Sequence, residues 1–164
     1  MFKILVVSDS HGNTDLLYDV ISRNRTVDLV IHLGDHSADA NEVMGDFPSI
    51  AHLTVAGNCD IGHYLNNTNY DGCFKIEERR VFYTHGHKYN VKYGTELLLK
   101  QAKMKDADIA LFGHTHVSMS EEKDGVLVIN PGSLSSPRDG TVGTYCIMEI
   151  DGKNVKYDIK EVAI

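Results

Sequence analysis

Apolar and polar positions come in blocks along the chain, and the period within each block indicates an element. Residues 2–8 and 29–33 are short apolar runs rich in β-branched side chains. Each closes on small and polar residues, as strands buried on both faces of a sheet do. Between them Leu16, Leu17, Val20 and Ile21 recur at helical spacing behind Asn13 and Thr14, either of which can cap a helix. Residues 37–45 read as a second, shorter helix and 50–56 as a third strand, so the chain opens β-α-β-α-β.

The alternation then changes character. Residues 73–76 and 81–84 flank the polar stretch 77–80, a hairpin pattern, and residues 93–104 read as a helix with Leu97, Leu98 and Ala102 on its inner face. Residues 109–112 and 126–130 are strands, the second preceded by a Lys123-Asp124-Gly125 turn that pairs it with an antiparallel neighbour. Residues 142–150 and 155–162 meet at Asp151-Gly152, a further hairpin. Neither a repeat nor a linker interrupts the series, so a single domain over residues 1–164 is expected.

Several of these strands end in side chains able to ligate a metal. Asp9 and His11 follow the first strand, Asp35 the second, Asn58 the third and His85 the end of the hairpin, while His114 and His116 follow residues 109–112. In open α/β sheets the carboxyl ends of strands converge on a crevice, so residues distant in sequence share one site. In extended backbone, residues i and i+2 point the same way roughly 6.6 Å apart, so Asp-x-His and His-x-His each offer two ligands to one ion. The adjacent Gly12, Gly34, Gly57, Gly86 and Gly113 allow sharp turns and close approach. Taken one at a time, each position has an ordinary structural explanation: a surface histidine, or a turn aspartate or asparagine. The coincidence at the ends of five strands is what carries the reading. Carboxylate, amide and imidazole donors together suit manganese, zinc, iron or nickel.

Composition narrows the rest. A net charge of −7, from 16 basic and 23 acidic residues, argues against broad affinity for a long nucleic acid, and no apolar run approaches a membrane span. Residues 1–7 read as a strand, not a leader. Cys59, Cys73 and Cys146 are odd in number and widely spaced, which points to a reducing, cytoplasmic setting.

The blocks Asp9-Ser10-His11, Gly34-Asp35, Gly57-Asn58-Cys59-Asp60, His85 and Gly113-His114-Thr115-His116, in this order, resemble the signature of the calcineurin-like metallophosphoesterases. The short length and Asn130-Pro131-Gly132-Ser133 are most similar to the small phosphodiesterases of the YfcE type. The resemblance implies a four-layer αββα sandwich of two mixed β-sheets flanked by helices. It also implies two divalent ions, manganese first and zinc, nickel or iron as alternatives. Asp9, His11, Asp35 and His116 would surround one ion and Asp35, Asn58, His85 and His114 the other, with Asp35 bridging. The reaction it implies is hydrolysis of a small phosphodiester by direct attack of a metal-bridging hydroxide, with Asp35, Asn58 and His114 catalytic. A phosphomonoesterase or nucleotidase of the same fold is the alternative, as is a catalytically weak protein-binding scaffold. A homo-oligomer is left open.

One position departs from the pattern. Cys59 stands where the family places the histidine taken to protonate the leaving alkoxide. A thiol is a weaker acid there, so esters with good leaving groups are the expected substrates. Cys59, His87, Ser133 and Arg138 are candidate substrate contacts, His87 and His36 the remaining nearby histidines, and Tyr64, Tyr70 and Tyr89 candidates for aromatic stacking or a subunit interface.

Overall fold

The computed structural model describes residues 1–60, 69–140 and 142–163. The first strand, β1 (Phe2–Val7), is followed by α1 (Thr14–Arg23), β2 (Leu29–His32), α2 (Ser37–Met44) and β3 (Ala51–Thr54). All three strands run parallel. Asn13, not Thr14, caps α1: its side-chain oxygen accepts from the Leu16 amide at 3.1 Å, and Asp15 and Arg23 complement the helix dipole at the two ends. The hairpin β4 (Asp71–Ile76) and β5 (Arg79–Thr84) turns tightly at Glu77, whose φ is 53°, so Arg79 and Arg80 belong to the strand and not to the turn. Next come α3 (Glu96–Met104), β6 (Ile109–Leu111), β7 (Met119–Lys123), β8 (Val126–Asn130), β9 (Thr144–Asp151) and β10 (Asn154–Glu161).

The strands form two mixed five-stranded sheets, ordered β10-β9-β1-β2-β3 and β4-β5-β6-β8-β7. Period two along β1 explains the layering. Leu5 and Val7 face α1 and α2, packing with Leu17, Val20, Ile21 and Val43. Ile4 and Val6 face the other sheet and meet Val81, Ile109, Leu111 and Ile129. The second sheet turns Phe82, Ala110 and Val128 toward Leu98, Leu99 and Ala102 of α3. The result is the expected αββα sandwich. Each fully buried large apolar side chain stabilises it by about 1.5–3 kcal/mol relative to exposure.

Helix α3 differs from the sequence expectation at its start and in its inner face. Gly94 at φ 139° breaks the chain before Glu96, leaving Tyr93 in a separate turn, 91% exposed. Leu97 is 48% exposed, and Leu99 takes the buried place beside Leu98 and Ala102. The helical phase set by docking on Phe82 and Ala110 decides this, and the sequence offered three adjacent leucines without saying which faced in.

Candidate metal centre

Five strands deliver the candidate ligands to one edge, but not in extended conformation. Asp9, His11, Asp35, His114 and His116 all have positive φ, between 47° and 70°. They lie beyond the strand ends in left-handed turns. The extended i, i+2 geometry expected for Asp-x-His and His-x-His is therefore not what brings the side chains together. A left-handed non-glycine residue costs about 1–2 kcal/mol, so five in one site require that the surroundings hold them.

Buried hydrogen bonds do so. Asp9 Oδ2 accepts from Ser8 Oγ at 2.6 Å and from the His114 amide at 3.2 Å. Ser133 Oγ donates to the Asp9 carbonyl and Ser135 Oγ to the Ser10 carbonyl. Asn130 Nδ2 donates to the Gly113 carbonyl at 3.1 Å and to Thr115 Oγ1 at 2.9 Å, tying down the turn that carries His114 and His116. Two glycines are required by close approach: a Cβ on Gly57 would sit 2.1 Å from Asp35 Oδ1, and one on Gly113 the same distance from Ser8 Oγ.

Two groups of donors result. Ligand atoms of Asp9, His11, Asp35 and His116 lie within 4.8 Å of one another, and so do those of Asp35, His85 and His114. Asp35 belongs to both: Oδ2 lies 3.9 Å from His11 Nε2 and Oδ1 3.5 Å from His85 Nε2. Asn58 joins the second group, its Oδ1 3.1 Å from His85 Nε2.

Tautomers follow from the partners. A carbonyl only accepts, so His85 Nδ1 donates to the Leu33 carbonyl at 2.7 Å and His116 Nδ1 to that of Ser136 at 2.8 Å. In the neutral rings Nε2 is then a lone pair aimed into the site. His116 Nε2 faces Asp9 Oδ1 at 3.2 Å and His11 Nε2 at 3.3 Å. Among the described residues Asp9 Oδ1 is buried and has no hydrogen-bond partner. Burial raises the Asp9 pKa, but His116, His85 and Ser8 outweigh it and hold the carboxyl at about 2. The same carboxylate raises the pKa of His116. Burial and the charges of His85 and Lys92 push His114 down to about 4, keeping it neutral near pH 7. Acceptors pressed together around an orphaned carboxylate oxygen fit a divalent cation.

The proposed substrate contacts divide. Arg138 is exposed at the rim; its amide donates to the His116 carbonyl and its charge acts on that ring. The His87 ring centre lies 5.4 Å from that of His85, its Nδ1 is buried and without a partner among the described residues, and burial lowers its pKa. Cys59 is exposed, and its amide donates to Asp35 Oδ1 at 2.9 Å. Burial and the negative charge of Asp35 raise the pKa of its thiol. Ser133 is not at the cleft: it is fully buried, and its hydroxyl also accepts from the Ser136 amide. Tyr89 is engaged with the Asp71 carboxylate and the Phe82 ring, whereas Tyr70 is part-exposed beside His87. His36 is exposed and tilts against His11. Tyr64 lies outside the described residues.

Three polar residues that sequence reasoning did not single out support the site. His32, fully buried, accepts from the Gly34 amide on Nδ1, so Nε2 donates to Ser10 Oγ at 2.8 Å, and Ser10 donates to Asp39 Oδ2 at 2.6 Å. Asp60 accepts from the amides of Gly57, His36 and Ser37, capping α2 from 24 residues away. A histidine at the end of the otherwise apolar β2 was the available signal, since a buried polar side chain needs partners.

The model of the calcineurin-like phosphoesterase superfamily domain matches residues 2–153. A probable metallophosphoesterase of Bacillus subtilis, YsnB, is 33% identical over 157 residues, covering 91% of this chain and 85% of the relative. The phosphodiesterase YfcE of Escherichia coli K12 is 28% identical, covering 92% and 89%. Among solved structures, a Streptococcus pneumoniae TIGR4 protein described as a predicted phosphoesterase superposes with a TM-score of 0.81 at 27% identity, covering 98% of this chain and 89% of that one.

Proposed function

The chain belongs to the calcineurin-like phosphoesterase superfamily, and from that premise we propose that it hydrolyses small phosphodiesters with the help of two divalent metal ions, manganese first among them. The observation that carries the reading is the position of Asp35, whose two carboxylate oxygens face separate groups of histidines. Asp9, His11, Asp35 and His116 would hold one ion, and Asp35, Asn58, His85 and His114 the other. Bound there, such ions supply Lewis acidity and a water of lowered pKa. A phosphodiesterase name on the Escherichia coli relative supports the substrate class.

The chain's own residues do the rest. His85 and His116 are fixed in the tautomer that leaves Nε2 free by the carbonyls of Leu33 and Ser136. The Cys59 amide orients Asp35, and the Ser8 hydroxyl and His114 amide orient Asp9. Arg138 at the rim gives an anionic substrate a local positive charge in a chain of net charge −7. Small esters suit that local attraction better than a long polyanion.

The test is turnover by metal-stripped protein of an aryl phosphodiester and of the matching monoester, with manganese, nickel, zinc or magnesium restored, alongside Asp35→Asn. Metal-dependent cleavage of the diester, reduced about a hundredfold or more in the variant, is expected. Faster cleavage of the monoester would move the assignment to a monoesterase. No turnover with any ion would favour a protein-binding scaffold.

A further inference from the structure

We propose that β10 is a homodimerisation edge, on which two copies of the chain join their first sheets by antiparallel pairing of β10 with itself, centred on Tyr157. The strand is the last in its sheet. All eight of its residues pair with β9, from Asn154 opposite Asp151 to Glu161 opposite Thr144, and among the described residues no strand pairs with its other side. It contains no proline, and its side chains are mostly exposed, Tyr157 by 40%. A long edge of this kind is a ready template for another strand unless charge or a bulge blocks it.

The charges on β10 match under self-pairing in one register. In an antiparallel ladder, residues stand opposite each other only if their N–H and C=O groups point the same way, so a symmetric pair centres on a residue. Centred on Tyr157, Lys156 stands opposite Asp158 of the second copy, Val155 opposite Ile159 and Asn154 opposite Lys160, each pairing occurring twice. A shift of one residue sets Asp158 against itself and Lys156 against Lys160, and a shift the other way sets Lys156 against itself. Centring on Ile159 again opposes Asp158 and Lys160 but leaves only residues 157–161 of the strand paired.

Val155 and Ile159 already pack on the core between the sheets, so their counterparts from the second copy would extend that apolar surface. Shallow hollows flank the strand, one lined by Glu149, Lys156 and Asp158, another by Arg79, Asn154 and Tyr157. The pairing is independent of the metal centre.

Light scattering on the metal-free protein tests it. Wild type is expected at twice the chain mass of 18.2 kDa. Lys156→Asp and Asp158→Lys each place like charges across the axis and are expected to halve the mass with circular dichroism unchanged. Mixed in equal amounts, the two single variants are expected to restore the dimer mass, because every carboxylate then faces an ammonium. The double variant K156D/D158K is expected dimeric on its own and serves if either single variant does not fold. A monomeric wild type, a dimer that survives both single variants, or a double variant that stays monomeric would each overturn the proposal.

Discussion

Oδ1 of Asp9 lies 3.2 Å from Nε2 of His116: among the described residues Asp9 Oδ1 is buried without a hydrogen-bond partner, and the neutral His116 ring commits its proton to Ser136 on its far side. Two acceptors this close repel unless a cation or a proton lies between them.

A divalent ion should stabilise the fold by binding the native state alone. At about a hundredfold excess over its dissociation constant the gain is about 2.7 kcal/mol, or roughly 5–10 °C in melting temperature for a chain of this size. Thermal melts of chelator-treated protein with manganese, zinc or nickel restored measure it. Asp9→Asn, which removes the charge at the orphaned position, should lose most of the shift, and an equal shift in the variant would contradict the assignment.

Cys59 places the difficulty of the reaction on the leaving group. Rates across a series of aryl phosphodiesters should fall steeply as leaving-group pKa rises, because a thiol with a raised pKa protonates an alkoxide poorly. Cys59→His should flatten the series and speed the poorest leaving groups by about tenfold or more, within the range of general-acid catalysis. A flat series in the wild type would remove the argument.

Asp60 ties the turn before it to the start of α2. Asp60→Ala leaves the amides of Gly57, His36 and Ser37 without their acceptor, at a cost of about 3 kcal/mol or more. Asp60→Asn keeps one carbonyl oxygen and should fall between. Urea denaturation gives both values, and a loss below about 1 kcal/mol in the alanine variant would show that other groups replace the carboxylate.

His32 should make stability depend on pH. Burial lowers its pKa from 6.5 to about 4, against the opposing charges of Asp9 and Asp39. The unfolded chain therefore binds a proton at higher pH than the folded one. The contribution is intact above pH 6.5 and is lost progressively as pH falls to about 4, by about 3 kcal/mol in all. His32→Gln, with urea denaturation at pH 7, 5 and 4, should show a shallower decline than wild type, whatever its stability at pH 7. Parallel declines would place the titration elsewhere.

The sequence by itself determined the order of elements and the chemical kind of the strand ends. Hydrophobic pattern is local, so the apolar run of β1 and the helical spacing in α1 are legible without the fold. Carboxylate, amide and imidazole at the ends of five strands were legible too, because residue type alone makes a side chain able to ligate. Tertiary structure decided which atoms meet. The left-handed turns at Asp9, Asp35 and His116 arise from hydrogen bonds contributed by distant residues, and no local spacing contains them. The same holds for Ser133, which seemed placed for substrate but is buried holding Asp9, and for His32, Asp39 and Asp60, each with a partner 22 to 29 residues away. The phase of α3 was also settled only by docking, with Leu97 turned to solvent. Ligand type is a property of one residue, whereas ligand geometry is a property of contacts between elements, and those contacts form only when both sheets have packed.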